Sequence, residues 1–304
     1  MNIYDIYRDL KSNRKKKIIL DTDTFNEVDD QFALAYAMCS TERIDLMSVN
    51  AAPFLNKKVA TPQEGMEKSF EEIKRVMTQV DPNRQIPVYR GSTSFLLNRE
   101  TGIESEAVDQ MIRSVLTAGE TVYLVAIGAI TNIASALIKC PEIVEHAAVI
   151  WLGGVGFDAP NFQEFNMKQD IPAAQVVFDS GIPLIQVPTF GVSSELITTI
   201  PELEHYLAKK NRICDYLTNI VKSYSNGQYA WSKVLWDIAN IGVFCVPEAY
   251  DIVVRSTPYV AEKCRYIFDD ARHPYLYIRR IRRDPVFADL YQKLVSVKET
   301  TSFA

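Results

Sequence analysis

Between Ile18 and Met38 the chain reads IILDTDTFNEVDDQFALAYAM. Three apolar residues lead into five acids, Asp21, Asp23, Glu27, Asp29 and Asp30, set within ten positions. From Asp30 to Cys39 the apolar spacing turns helical, with Phe32, Ala33, Tyr36 and Ala37 on one face. A strand that ends in acids and hands over to a helix opens a βαβ unit, and open α/β sheets bind ligands beyond the carboxyl ends of their strands. Carboxylates at this density repel one another unless positive charge sits among them. A hard divalent cation with oxygen ligands meets that need. A plainer role stands beside it: Asp29 or Asp30 caps the helix and meets its positive end, and Asp21 ties a turn. The set as a whole favours the cation. The stretch is not an EF-hand loop. Counted from Asp21, Asn26 falls where that loop needs Gly and Phe32 where it needs Glu.

The alternation continues outward. Lys17–Leu20, Ile44–Asn50, Ile86–Tyr89, Val122–Ile127, Ala147–Leu152 and Pro183–Val187 read as strands, apolar and bounded by polar, Gly or Pro residues. Asp30–Cys39, Pro62–Thr78, Glu104–Thr117, Asn132–Ile138, Pro172–Asp179 and Trp236–Cys245 read as helices. This predicts an α/β fold, a mainly parallel open sheet flanked by helices with a Rossmann-like core. Residues 190–235 read as a mostly helical cap. Tyr275–Arg283 reads as a basic strand and Asp284–Val295 as a last helix. No linker or repeat interrupts the chain, so residues 1–304 read as a single domain.

Composition narrows the function. Of 304 residues 47% are hydrophobic and 23% charged, an ordinary globular balance. The net charge of -5 argues against nucleic acid as partner, because phosphate binding needs a basic field. The basic run Arg14–Lys17 and the cluster Arg279, Arg280, Arg282 and Arg283 read as solvated faces or contacts between copies. Cys39, Cys140, Cys214, Cys245 and Cys264 are far apart and odd in number, which speaks against a disulfide scaffold or structural zinc. The opening MNIYDIYRDLKSNRKKK does not read as a secretory leader, and no apolar stretch reaches membrane-spanning length. The expectation is a protein of the reducing cytoplasm with no membrane partner.

With the motifs placed in order, the sequence resembles the inosine–uridine-preferring nucleoside hydrolase family. The DxD…DD pattern of Asp21, Asp23, Asp29 and Asp30 carries the resemblance, together with four later matches. These are VYLVAIGAITNIASAL (Val122–Leu137), IWLGGVG (Ile150–Gly156), NFQEFNMKQDIPAAQVVFDSGIPL (Asn161–Leu184) and Asp237 opening a C-terminal helix. The resemblance implies a Ca²⁺ site of Asp23, Asp30, Asp237 and the main-chain carbonyl of Ile127. It implies that Asp23 activates a water to attack C1′ of a ribofuranosyl group, and that the N-glycosidic bond to a base is cleaved. Asp29 and Asn166 would bind the ribose 2′- and 3′-hydroxyls, Asn161 and Glu164 the 5′ side, and Asp21 would support the turn. It also implies a nucleoside or related ribofuranoside as ligand, a place in purine or pyrimidine salvage, and a homodimer or homotetramer.

Three departures bear on the leaving-group side. The turn from Asp23 to Asp29 holds five residues where the family usually has three, so Asn26 and Glu27 either reach into the site or stand in solvent. Trp236 precedes Asp237 where many relatives place a proton-donating His. Of the three histidines, His146 and His205 read as structural or exposed and His273 as a loop residue. Ala52-Pro53 follow the second strand in place of Gly-Asn, leaving Asn50 or Asn26 for that sugar contact. Tyr224, Tyr229, Trp231 and Trp236 offer stacking faces, and Lys233 or a tyrosine offers a proton. Three rival readings remain open. They are a related hydrolase of a non-standard ribofuranoside, a non-catalytic sugar-binding homologue, and a haloacid-dehalogenase-like phosphatase, which leaves the EFN match unexplained.

Overall fold

The computed structural model describes residues 2–159 and 161–298. The chain opens on a helix absent from the reading above, α1 (Ile3–Lys11). It runs on through β1 (Lys16–Thr22), α2 (Asp30–Cys39), β2 (Ile44–Ala51), α3 (Pro62–Val80), β3 (Val88–Arg90), α4 (Glu106–Thr117), β4 (Val122–Ala126), α5 (Thr131–Lys139) and β5 (Ala147–Leu152). Then come α6 (Phe165–Gln169), α7 (Ile171–Asp179), β6 (Leu184–Val187), β7 (Ile197–Thr199), α8 (Ile200–Tyr206), α9 (Arg212–Ser225), β8 (Ser232–Val234) and α10 (Ile238–Cys245). The chain closes with β9 (Tyr250–Ser256), β10 (Tyr259–Val260), β11 (Tyr266–Ile267), β12 (Pro274–Ile281) and α11 (Arg283–Val295).

Eight strands make one sheet in the order β3-β2-β1-β4-β5-β6-β12-β9. Neighbours run parallel from β3 to β12, and β9 lies antiparallel at the edge. The mainly parallel sheet expected from the sequence is therefore present. From β1 the chain builds to one side through β2 and β3, then crosses to the other through β4, β5 and β6. The loops leaving β1 and β4 part at that reversal, and a crevice opens at the carboxyl ends of the two strands.

Both faces of the sheet are covered, which is why its strands are apolar throughout. Along β4, Val122, Leu124 and Ala126 pack with α4, α5 and α7, while Tyr123 and Val125 pack on the side of α2, α3, α9, α10 and α11. Helix α2 departs from the one-faced reading: Asp30 to Met38 are all buried, because α3, α10 and α11 pack around it. Residues 190–235 need a larger correction. They contain α8 and α9, but β7 and β8 pair antiparallel, Ile197 opposite Val234, so the cap is part strand. Three-residue strands whose paired positions lie 33 to 37 residues apart leave no local periodicity to read.

The basic run is a solvated face only in part: Arg14 and Lys15 are exposed, but Lys16 is not. Arg14 bridges Asp9 and Glu120, and Lys17 donates to the Ala118 carbonyl at 3.0 Å. Lys16 is fully buried, its ammonium on the Ser12 carbonyl at 2.7 Å and the Ser12 hydroxyl at 3.1 Å. Burial pulls its pKa down to about 8. The folded state thus binds this proton less tightly than the unfolded chain, so the charge costs stability below pH 8 and the cost fades as pH rises toward the unfolded value of about 10.4. Lys16→Met should melt about 2–4 °C above the native protein at pH 7, with the gap closing by pH 10 in paired thermal melts. Among the later arginines, Arg279 pairs with Asp251, Arg282 donates to the Glu248 carbonyl, and Arg283 pairs with Glu202.

Candidate active site

The acids meet where the sheet order reverses. At the end of β1, Asp21 is buried and its Oδ1 accepts a bond from the Asn132 amide at 2.8 Å. Thr22 donates to Asp30 Oδ1 at 2.5 Å. The Asp23 carbonyl accepts the Asn26 N–H at 2.7 Å, which closes the long turn upon itself. Across the crevice the chain leaves β4 through Ile127 and Gly128. A Cβ on Gly128 would stand 3.0 Å from the Asp23 carboxyl carbon, so any larger residue there would push that carboxylate by a few tenths of an ångström.

Asp29 and Asp237 sit at the N-cap positions of α2 and α10, yet neither makes a capping side-chain bond. The plainer role assigned to acids at helix starts is not the one they perform. Their carboxylates turn into the crevice instead. There Asp29, Asp30 and Asp237 each bring an oxygen within 4.8 Å of the others. Asp23 faces the Asp30 carboxylate, and the buried Asp23 Oδ2 and Asp29 Oδ1 have no hydrogen-bond partner among the described residues. Burial and then neighbouring carboxylates raise the acids: Asp30 to about 7, and Asp23 and Asp237 well above the ordinary carboxylate range. An oxygen-only cluster that repels its own protons' departure and leaves a carboxylate oxygen unpartnered fits a hard cation.

The cavity above them encloses about 180 Å³. Asp23, Asp29, Asp30 and Asp237 form its floor, with Ile127 and Leu152 behind. Asn166, on α6, donates from its amide nitrogen to the Ile127 and Leu152 carbonyls at 3.1 and 3.0 Å. Both donors are then used and Oδ1 remains as an acceptor. Glu164 lines the wall as the N-cap of α6, accepting N–H groups of Asn166, Met167 and Gly154 at 2.8–2.9 Å. Burial nonetheless lifts its pKa to about 7. Phe190 and Trp236, ring centres 5.2 Å apart, form an aromatic wall.

Gly154 ties this wall together and adopts φ +74°, where a Cβ would fall 1.9 Å from the Tyr266 hydroxyl. Gly154→Ala should therefore cost about 2–4 kcal/mol through strain and overlap, read as a loss of roughly 3–6 °C in melting temperature.

Of the residues singled out in the sequence, the cavity gathers Asp23, Asn26, Glu27, Asp29, Asp30, Ile127, Glu164, Asn166, Trp236 and Asp237. Lys233 stands behind Asp29 and Glu27 as their ion-pair partner. Asn161 is exposed and accepts the Gln163 N–H at 3.0 Å, which turns it into its own loop and away from the cavity. Tyr229 is 96% exposed and lies outside the cavity. Asn50 is fully buried at the end of β2, opposite Asp21, and is not among the residues that line the cavity. The three histidines also lie elsewhere. Thr189, Phe190 and Phe165 line the cavity without having been chosen as site residues. Thr189 and Phe190 follow the carboxyl end of β6, so the rule that drew attention to the acids points to them too.

Comparison with known proteins places this arrangement. A family model described as inosine-uridine preferring nucleoside hydrolase matches residues 18–273. An uncharacterised protein of Schizosaccharomyces pombe is 28% identical over 65% of this chain and 68% of its own length. The pyrimidine-specific ribonucleoside hydrolase RihB of Escherichia coli is 27% identical over 57% of this chain, and the match spans 59% of that enzyme. Among solved structures, a purine-preferring ribonucleoside hydrolase from Gardnerella vaginalis superposes with a TM-score of 0.76 at 21% identity, over 93% of this chain and 99% of that one. At that identity the likeness speaks to the fold.

Proposed function

Since the chain belongs to the inosine-uridine preferring nucleoside hydrolase family and is thereby a hydrolase of N-glycosyl compounds, we propose that it cleaves the bond between ribose and base of a ribonucleoside in a calcium-dependent reaction. The observation that supports this most is the convergence of Asp23, Asp29, Asp30 and Asp237 on one cavity, with an Asp23 oxygen left unpartnered.

Asp23, Asp30 and Asp237, with the Ile127 carbonyl, would hold the cation. When bound, calcium supplies the charge that keeps these carboxylates ionised and makes a nearby water more acidic. Asp23 takes the proton of the water that attacks C1′. The charge developing on the sugar is oxocarbenium-like, as in glycoside hydrolysis. Asp29 and the free Oδ1 of Asn166 accept from the 2′- and 3′-hydroxyls. These acceptors discriminate because a sugar lacking a hydroxyl leaves them unpaired. Glu164 serves the 5′ side, and Asn161, turned into its loop, is left out of the set. As the C1′–N bond breaks, the base departs against the apolar face of Phe190 and Trp236 and takes its proton from solvent.

Trp236 where relatives place a histidine keeps a second reading alive, a non-standard ribofuranoside as substrate. Two similar proteins, a pyrimidine-specific and a purine-preferring ribonucleoside hydrolase, leave the base open. The test is reducing-sugar release from a panel of purine and pyrimidine nucleosides, with calcium and after chelation. Release that survives chelation counts against the cation; calcium binding without release from any nucleoside favours the second reading. A cytoplasmic setting and self-association belong to the same proposal, the latter measurable by light scattering.

A further inference from the structure

The turn that is longer than the family's is held by a residue from the far side of the cavity. Lys233, on β8, is 5% exposed. Its Nζ lies 2.5 Å from Glu27 Oε2 and 3.1 Å from Asp29 Oδ1. The other Asp29 oxygen accepts the Trp236 N–H at 3.1 Å, so one segment, Lys233 to Trp236, meets this carboxylate with a hydrogen bond on Oδ2 and an ion pair on Oδ1. The Glu27 side chain is 40% exposed and lies near Tyr224 at the end of α9. From outside, Lys58 grips the Asn26 carbonyl at 2.6 Å. The turn is thus fastened at Asn26, Glu27 and Asp29, and the buried fastener is Lys233.

We propose that Lys233 is the positioning residue of the sugar subsite: it fixes Asp29 for the ribose hydroxyls and locks the turn through Glu27, at the expense of cation affinity. The proposal rests on the reading above. Its logic is electrostatic. Asp23, Asp29, Asp30 and Asp237 form a strongly negative floor, and a buried ammonium against one of them offsets part of the attraction a divalent cation feels. The same ammonium holds Asp29 in one orientation, which removes an ordering cost from sugar binding. Cation and sugar are therefore pulled in opposite directions by one side chain. A proton-donating role suits Lys233 poorly. Burial works against its charge, but the Asp29 and Glu27 carboxylates outweigh that and raise its pKa.

The experiment measures Ca²⁺ binding by calorimetry, D-ribose binding in saturating Ca²⁺, and KM and kcat on the best nucleoside of the panel. It uses Lys233→Met, Lys233→Arg and Glu27→Gln. Lys233→Met should bind Ca²⁺ about tenfold more tightly while KM and the D-ribose dissociation constant rise about tenfold. Lys233→Arg should restore the sugar terms to within about threefold, because arginine keeps the charge and the paired geometry. Glu27→Gln, at a half-exposed position that tolerates change, should raise KM by a smaller factor and leave D-ribose binding largely intact. Weakened binding of both Ca²⁺ and sugar in a folded Lys233→Met would reduce the residue to structural support and overturn the proposal. An Lys233→Arg as inactive as Lys233→Met would overturn it in favour of proton donation. If the native protein binds no Ca²⁺, the underlying reading fails and takes the proposal with it; unchanged Ca²⁺ affinity in Lys233→Met defeats the proposal alone.

Discussion

Asp23→Asn should lower kcat by about three orders of magnitude or more while the protein stays folded. The substitution keeps the size of the side chain and removes the group that accepts the water's proton. It also removes one of the carboxylates offered to the cation. Stability should not fall with activity. Asp23 is 1% exposed, and burial, then Asp30, then Asp29 push its pKa well above that of an ordinary carboxylate. A neutral amide there relieves repulsion that the acids otherwise impose on one another. Without calcium the variant should melt at or above the native temperature. With calcium the order should reverse, because a ligand stabilises only the protein that binds it. Melting curves with and without calcium, beside kcat on the best nucleoside, check both halves. Turnover within tenfold of native would remove Asp23 from its assigned role, and a lower melting point without calcium would show that the carboxylate supports the fold.

The parts of this fold that can be read from sequence are those whose signal is local. Parallel strands buried on both faces are continuous apolar runs, so Val122–Ala126 and Ala147–Leu152 announce themselves. The acids do the same because five of them share ten positions. Short strands such as β7 and β8 are held by partners far along the chain, and their three residues carry no period of their own. The site divides along the same line. Asp29 and Asp237 look like helix caps in isolation, and only their lack of capping bonds reveals the other use. Lys233 could be named from sequence as a proton source, but its pairing with Glu27 and Asp29 depends on where β8 lies. Asn161 and Asn166 look alike in the sequence, five residues apart. Asn166 follows the Glu164 cap into α6 and faces the cavity, while Asn161 spends its oxygen on its own loop.

Asn132, which the family-like ITN segment contains but to which no role is given by the sequence, should prove one of the most costly positions to change. It is fully buried at the start of α5. Its amide nitrogen donates to Asp21 Oδ1 at 2.8 Å and to the Ala51 carbonyl at 3.3 Å, and its oxygen accepts the Ser92 N–H at 2.7 Å. One side chain thus joins the ends of β1 and β2 and the loop after β3, directly beneath the turn that carries Asp23. Asn132→Leu fills the space but leaves a buried acid without its donor and a buried N–H without its acceptor. The loss should be about 3 kcal/mol or more, a fall of roughly 5 °C or more in melting temperature, with activity reduced as the turn shifts. Asn240 supplies the comparison. It is equally buried, on α10, and donates to the Ala126 and Ile150 carbonyls at 3.1 and 3.4 Å. Its partners are neutral, so Asn240→Leu should cost about half as much. Equal losses in the two variants would mean that Asp21 needs no donor from Asn132, and the cost would then lie in the backbone bonds alone.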